Sequence, residues 1–183
     1  MPMETCLQGK FCSLPFSKES KQYSRLLEII HSDVCGPMSM NSHGGSRYMV
    51  TFIDDYSGWC EVYFLKRKDE ILNAFQTFKK FAERQTGQKI KYLKSDNGRE
   101  YCNRSFNSFL RNEGIRRRLS VPYTPKQNGI AEWKNRTLIE MARCMLIQAY
   151  LSHGFWAEAV STANYIRNRC STKRLEGKSP YEM

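Results

Sequence analysis

The feature that most constrains the fold of this chain is the order in which strand-like runs and helical segments follow one another. Three strand-like runs come first, around LLEIIHSDV, RYMVTFIDDYS and WCEVYFLK, with no helical segment between them. Their β-branched and aromatic residues are typical of strands, and Ser57-Gly58 predicts a hairpin turn. Two later runs, IKYLKSD and IRRRLSVP, each follow a helical segment, and strands joined through helices pair in parallel.

The order therefore predicts an α/β domain with a mixed five-stranded sheet, in which a three-stranded antiparallel meander is joined by two parallel strands. Apolar residues spaced by three and four positions predict the flanking helices. We expect the first helix to be capped by Asp69 and to end at Gly87. A short helix is predicted at FNSFLRNEG, a long one from about Ile130 to Ala149, and a last one around FWAEAV. On the long helix, the residues predicted to face the core are Ile130, Leu138, Met141 and Met145.

Length and composition are those of one globular domain with a short appendage. The chain has 183 residues, of which 40% are hydrophobic and 26% charged. Residues 1–22 are polar and irregular and are predicted to be a linker or the stub of another module, so the domain is expected to span 23–183. No apolar run approaches the roughly 20 residues of a membrane helix. The first residues lack the order of a signal peptide, which predicts an intracellular protein.

The charge balance favours a polyanionic partner. Twenty-nine Lys and Arg residues against 18 Asp and Glu give a formal charge of +11, and nucleic acid is the commonest intracellular polyanion. A basic surface kept for solubility, or balanced by an acidic partner domain, is the alternative. The seven cysteines include no CxxC pair, which favours reduced thiols and predicts no zinc site in this chain.

Three acids stand where the predicted topology would bring them together. Asp33 is expected to end the first strand, and Asp96 the fourth, which would lie beside it. Glu132 falls in the first turn of the long helix, which can cover both. Clustered carboxylates repel one another unless divalent cations bind, and Mg²⁺ or Mn²⁺ prefers such oxygen ligands. Two ions could act together on a phosphodiester.

Helical geometry places Glu132 nearly opposite the predicted core stripe, together with Arg136 and Arg143. Such a face suits a surface that binds metal ions and phosphates. It equally describes a solvated face with an ion pair between Glu132 and Arg136.

The residues around the acids carry a resemblance that the spacing alone does not. Thirty-five residues separate Asp96 from Glu132, as in the D,D-35-E signature of retroviral and LTR-retrotransposon integrases. The segments HSDVCGPM, RYMVTFIDDYS, KSDNGREY and PYTPKQNGIAEWKNRTLIEMAR, and FWAEAV with the following NYIRNR, are similar to the copia branch of that family. The resemblance runs from about Leu26 to Met183.

This resemblance implies an RNase H-like fold and a metal-dependent polynucleotidyl transferase. The matching acids, Asp33, Asp96 and Glu132, would be both catalytic residues and ligands of two Mg²⁺ or Mn²⁺ ions. The enzyme would process element DNA ends and join the 3′-hydroxyl to target DNA, as a homo-oligomer in the nucleus. The loop before the long helix would contact DNA, and the same helix supplies further cations. The expected DNA-binding residues are Lys126, Gln127, Asn128, Lys134, Arg136 and Arg143.

Departures from the family pattern leave alternatives open. Arg99 replaces a usual glycine, Trp133 replaces a usual basic residue, and LQGKFCSLPF resembles only the end of an HHCC zinc module. We interpret residues 1–22 as a remnant of that module and the chain as a fragment of a Pol polyprotein. A catalytically inactive remnant that only binds nucleic acid is the main alternative, and an RNase H-like nuclease is another. Asp54 and Asp55 are rival acids, which we interpret as structural.

Overall fold

The computed structural model describes residues 24–119 and 129–183, and its centre is a five-stranded sheet. The spatial order is β3-β2-β1-β4-β5. The pairs β1–β2 and β2–β3 are antiparallel, whereas β1–β4 and β4–β5 are parallel. The predicted mixed sheet is therefore confirmed. The strands are β1 (Ile29–Cys35), β2 (Tyr48–Asp54), β3 (Cys60–Leu65), β4 (Tyr92–Ser95) and β5 (Arg116–Leu119).

Four α-helices accompany the sheet in the described ranges, and none is long and apolar enough to cross a membrane. Gly87 ends the first with a φ of 67°, as predicted. The prediction that Asp69 caps this helix is wrong, because Asp69 lies in a preceding 3-10 turn and pairs with Arg67. The helices are α1 (Ile71–Thr86), α2 (Arg104–Asn112), α3 (Gly129–Gln148) and α4 (Trp156–Arg169). The 3-10 turns are Lys68–Glu70, His153–Phe155, Lys173–Leu175 and Pro180–Glu182.

Alternation along the strands divides the interior into two layers. On one face, α1 and α2 cover the sheet, and four phenylalanine rings, Phe52, Phe75, Phe78 and Phe106, are fully buried there. On the other face, α3 and α4 pack against the meander through buried residues that include Met49, Ile53, Leu138, Val160 and Ala163. The second layer carries the acids, because Asp33 points to the same face as Met49 and Ile53 in this register.

The buried stripe of α3 differs from the predicted one. Ile130 is 41% exposed, and Met141 and Met145 are only partly buried. The buried positions are instead Ala131, Lys134, Asn135, Leu138, Ala142 and Leu146. The prediction placed the bulkiest apolar residues toward the core. In the structure, small alanines let the helix approach the sheet, and the polar Asn135 lies within the contact between them.

Two asparagines attach α4 to the edge of the meander. Both Asn164 and Asn168 donate side-chain N–H groups to the carbonyl oxygen of Cys60, each at 2.8 Å. Asn168 also accepts the N–H of Cys60 at 3.1 Å. Buried backbone groups without partners are destabilising, so these contacts fix where α4, and α3 beside it, lie on the sheet.

The aromatic layer generates a test of the packing. Phe52 is 0% exposed and its ring centroid lies 4.9 Å from that of Phe78. We expect Phe52→Ala to lower the free energy of unfolding by about 3–5 kcal/mol, the usual loss for a buried phenylalanine. Phe81→Ala removes the same atoms from a side chain that is 45% exposed, and should lower it by less than about 1 kcal/mol. Equilibrium urea unfolding compares the two, and equal losses would contradict this description of the core.

Candidate active site

Asp33 lies within β1 and is held by the helix above it. It is the fifth of seven strand residues, so the expectation that it ends the strand is wrong by two positions. Its Oδ2 accepts a hydrogen bond of 2.9 Å from Nδ2 of Asn135, in α3. Oδ1 of Asn135 accepts the hydroxyl proton of Thr51 at 2.8 Å, and Thr51 pairs with Asp33 across β1 and β2. A three-residue hydrogen-bonded chain therefore joins both strands to α3.

Asp96 follows directly after β4, as predicted. The parallel register pairs Ile29 with Tyr92 and His31 with Lys94. Continuing that register by two residues sets Asp96 beside Asp33, on the same face of the sheet. Oδ1 of Asp96 accepts the backbone N–H of Gly98 at 3.1 Å, which orders the turn after the strand.

Glu132 is an exposed residue in the first turn of α3. It precedes Asn135 by three positions, and residues at that spacing are neighbours on a helix surface. Because Asn135 is bonded to Asp33, this spacing carries Glu132 toward the same two acids. The alternative ion pair between Glu132 and Arg136 is not formed among the described residues.

The three carboxylates interact electrostatically at Asp33. Its pKa is raised from 3.8 to about 6, mainly because burial disfavours the charged form. The hydrogen bond from Asn135 opposes this shift, whereas the negative charges of Asp96 and Glu132 raise the pKa further. No lysine, arginine or histidine of the described ranges forms an ion pair with these three acids. A bound cation is the partner that would stabilise this charge.

The donor set fits a hard divalent cation, since all three side chains offer carboxylate oxygens. Within 24–119 and 129–183, no three carboxylate, thiol or imidazole groups stand close enough to share one ion in this conformation. Asp33 is engaged by Asn135, and Asp96 by the backbone of Gly98. Binding of one ion by all three acids therefore requires a change of position from the conformation described.

The residues expected to contact DNA are distributed unevenly. Arg136 and Arg143 are exposed on α3 as predicted. Lys134, on the same helix, is 7% exposed and directed toward the turn at Gly58. The remaining three, Lys126, Gln127 and Asn128, lie outside the described residues.

The rival acids have other partners. Asp54 accepts the backbone N–H groups of Leu27 and Ser57, each at 2.8 Å, and so orders the hairpin as we interpreted it. Asp55 contacts the buried His31 at 3.0 Å. The carbonyl oxygen of Asp55 also accepts a hydrogen bond from Arg174, which ties the C-terminal segment to the sheet.

The structure also shows the positions of Arg99 and of the arginines in β5. Arg99 does not adopt a positive φ, so an arginine where the family usually has glycine causes no backbone strain there. Arg117 turns to the α2 side, where it contacts Asn107 at 2.7 Å, whereas Arg118 stacks over Tyr92 on the opposite face. The three consecutive arginines of β5 therefore do not form one basic patch.

Asn135 and Thr51 are the site residues that sequence reasoning missed. The available signal was the position of Asn135 three residues after Glu132, on the same side of the helix. A polar residue at that position contacts either solvent or the acids. Because the buried face of α3 was predicted incorrectly, Asn135 was expected to contact solvent.

Comparisons with solved structures show the class of fold. The chain is similar to a chain of the simian T-cell lymphotropic virus intasome in complex with PP2A regulatory subunit B56 gamma, with a TM-score of 0.68, 19% identity and coverage of 85% of this chain and 53% of that one. The HTLV-2 integrase catalytic core in complex with magnesium, in a trimeric form, gives a TM-score of 0.64, 18% identity and coverage of 85% and 95%. The protein thus has the RNase H-like fold of retroviral integrase cores.

Sequence comparisons identify the family. The Integrase core domain family matches residues 24–125. The Pol polyprotein of transposon TNT 1-94 from Nicotiana tabacum is 46% identical over 98% of this chain, and that of transposon RE1 from Arabidopsis thaliana is 33% identical over 97%. This chain spans 14% and 12% of those two proteins. The chain belongs to the integrase core domain family, and its resemblance to copia-type retrotransposon integrases is confirmed.

The raised pKa of Asp33 predicts that stability falls with rising pH. Unfolded, Asp33 loses its proton near 3.8, whereas in the fold it keeps the proton to about 6. The folded state therefore binds more protons between those values, and the stabilisation present below 3.8 is lost as the pH rises through about 6. In metal-free buffer at about pH 8, we expect Asp33→Asn to be more stable than the parent by on the order of 1–3 kcal/mol. Urea unfolding at several pH values tests this, and identical pH profiles for the two proteins would contradict it.

The hydrogen-bonded chain predicts an effect of Asn135→Ala. Truncation leaves the buried Thr51 hydroxyl without its acceptor and removes the donor to Asp33, so unfolding should become easier by about 1–3 kcal/mol. Asn73→Ala makes the same change at an exposed helix position and should have an effect within about 0.5 kcal/mol. Thermal and urea unfolding measure both variants. An Asn135→Ala protein as stable as Asn73→Ala would show that the contact does not hold α3.

Proposed function

We propose that this chain is the catalytic core of an integrase that processes retrotransposon DNA ends and joins their 3′-hydroxyls to target DNA. The observation that carries the proposal is electrostatic: the negative charges of Asp96, after β4, and Glu132, in α3, both raise the pKa of Asp33 in β1. Membership of the integrase core domain family supports it independently of that geometry. The unit that acts is taken to be residues 23–183, with 1–22 outside it.

The chemistry proposed is two successive displacements at phosphorus. A water oxygen first attacks a phosphodiester near the DNA end, and the bond to the departing strand breaks, which frees a 3′-hydroxyl. That hydroxyl oxygen then attacks a phosphodiester of the target, and the broken P–O bond leaves a new 3′-hydroxyl on the target strand. Each attacking oxygen loses a proton and each leaving oxygen gains one. The second step exchanges one phosphodiester for another, so no external energy source or covalent enzyme intermediate is needed.

In this proposal the three acids would hold two Mg²⁺ or Mn²⁺ ions. When bound, such ions lower the pKa of the attacking oxygen and stabilise charge on the leaving one. Asn135 is a positioning residue, because it fixes the Asp33 carboxylate and thereby one edge of the metal site. The magnesium bound by the HTLV-2 integrase core supports the choice of metal.

The proposed substrate surface extends outward from the acids. Arg136 and Arg143 lie exposed along α3, where they can contact backbone phosphates. Arg116 and Arg118 are exposed on the part of the sheet beyond β4, on the face that carries Asp96. We also keep Lys126, Gln127 and Asn128 as proposed DNA contacts. An intasome and a trimeric core among the structural neighbours support a homo-oligomer on DNA, and chromosomal target DNA implies the nucleus.

The catalytic assignment is tested with isosteric variants. Asp96→Asn and Glu132→Gln keep the side-chain shape but remove a metal ligand, and the loss of several kcal/mol of charge stabilisation lowers the rate by about a hundredfold or more. Glu140→Gln makes the same change at an exposed position of α3 and should leave the rate unaltered. The assay joins duplexes copied from the element's ends to plasmid DNA with Mg²⁺ or Mn²⁺.

Two results would contradict the proposal. Joining that survives Asp96→Asn would remove the acids from the mechanism. A parent chain that binds DNA in a salt-dependent manner but never cuts or joins it would identify a catalytically inactive binding protein. Preferential hydrolysis of an RNA–DNA hybrid would instead indicate a nuclease of the same fold.

A further inference from the structure

A cleft of about 240 Å³ lies between the first turns of α3, the end of α4 and the segment that follows α4. Its described lining contains three cations, Lys134, Arg167 and Arg174, and no acid. Lys134 follows Glu132 by two positions, or about 200° around a helix, so the cleft and the acids lie on different sides of α3. The cleft is therefore separate from the proposed active site.

Two of these cations, the buried Lys134 and the partly buried Arg167, have no counterion among the described residues. Lys134 is 7% exposed, and its one hydrogen bond to a described residue is a long contact of 3.5 Å to the carbonyl oxygen of Gly58. The Nε atom of Arg167 is buried and has no hydrogen-bond partner in the part of the chain that the structure describes. Neither residue forms an ion pair there. Buried like charges destabilise a fold unless an anion pairs with them.

Arg174 differs from the other two cations, because Asp55 lies 3.5 Å from its guanidinium group. Arg174 thus positions one wall of the cleft, while Lys134 and Arg167 are the groups with unused charge. A small anion that enters the cleft between Lys134 and Arg167 would neutralise both charges.

An exposed aromatic ring lies at the cleft beside these cations. Trp133 is 54% exposed, and the guanidinium carbon of Arg167 lies 5.9 Å from the centroid of its ring. Sites for unpaired nucleic-acid strands combine cations that contact phosphate with flat rings on which bases stack. The cleft is smaller than the roughly 300–1,000 Å³ of a drug-sized pocket, which suits one phosphate group rather than a larger ligand.

We propose that this cleft binds a backbone phosphate of an unpaired DNA strand, with the adjacent base stacked on Trp133. Lys134 and Arg167 would neutralise the phosphate. The proposal rests on the proposed function only for the identity of the polyanion as DNA. Since the cleft lies across α3 from the acids, the segment bound there is not the reacting phosphodiester but a neighbouring unpaired stretch.

The phosphate contact is tested by the salt dependence of binding. Fluorescence anisotropy measures the affinity for a labelled single-stranded oligonucleotide without divalent ions, so catalysis is not involved. Arg167→Leu should reduce the slope of log K against log salt by about 0.7, the value for one lost phosphate contact on a single strand. Arg169→Leu is the matched control, because Arg169 has the same charge on the same helix but stacks on Tyr165 and Tyr181 outside the cleft. Its slope should equal that of the parent.

The base contact and the buried lysine are tested separately. Trp133→Leu should raise the Kd for the single strand by about fivefold to 150-fold, as expected for one stacked base, and that for the matching duplex by less than about twofold. Lys134→Met conserves volume but removes the buried charge, so it should weaken single-strand binding without lowering Tm.

Equal slope changes for Arg167→Leu and Arg169→Leu would overturn the proposal, as would equal effects of Trp133→Leu on single strand and duplex. These outcomes are independent of the proposed function. If variants of the acids did not affect DNA joining, the proposed function would fail but the binding results for the cleft would still stand. If joining behaved as proposed but the cleft variants bound single-stranded DNA like the parent, only the proposal for the cleft would be rejected.

Discussion

The hydrogen-bonded chain from Thr51 through Asn135 to Asp33 is the contact on which the rest of the site depends. It is buried at Thr51 and Asn135, and each member has a partner of the right kind: a hydroxyl donor, an amide that accepts and donates, and a carboxylate acceptor. Because Asn135 is fixed to two paired strands, the first turn of α3 cannot slide along the sheet without breaking it. Glu132 owes its position to that constraint, since it lies one helical turn before Asn135.

The same arrangement makes the site a source of instability without a cation. Burial and two neighbouring acids raise the pKa of Asp33 to about 6, so ionisation near neutral pH destabilises the fold. The surrounding structure has to compensate. It does so through an aromatic layer on the opposite face of the sheet and through the asparagines that anchor α4 to Cys60. Functional sites often retain such unfavourable charge because a ligand relieves it.

Helix α3 separates two electrostatic environments. The charge of Glu132 acts on Asp33 of β1, whereas Lys134, two residues later, is buried on another side of the helix next to Arg167. A strand of DNA could engage both sides only by passing around the start of α3. The exposed cations on the outer face, Arg136 and Arg143, lie along the same helix.

Much of this architecture could be predicted from the sequence, because the deciding signals were local. Three strand-like runs without an intervening helix indicated a meander, and two strands after helices indicated parallel pairing, which set Asp33 beside Asp96. The buried stripe of α3 could not be predicted from bulk alone, since Ala131 and Ala142 pack closely and Ile130 does not. The burial of Lys134 and the role of Asn135 depend on contacts with residues far apart in sequence. Asp69 does not cap α1 because it pairs with Arg67 instead. Residue propensities do not distinguish between these two local interactions.

The most direct test of the central claim is to locate a paramagnetic divalent ion on the folded chain by NMR. Substoichiometric Mn²⁺ broadens nuclei near its binding site, and Nδ2 of Asn135 lies 2.9 Å from the Asp33 carboxylate. If the three acids form one metal centre, the Asn135 side-chain amide and the backbone of Asp96 will broaden first, and Asp33→Asn will abolish this effect. Broadening that begins elsewhere, or that persists unchanged in Asp33→Asn, would show that these acids do not form a metal site.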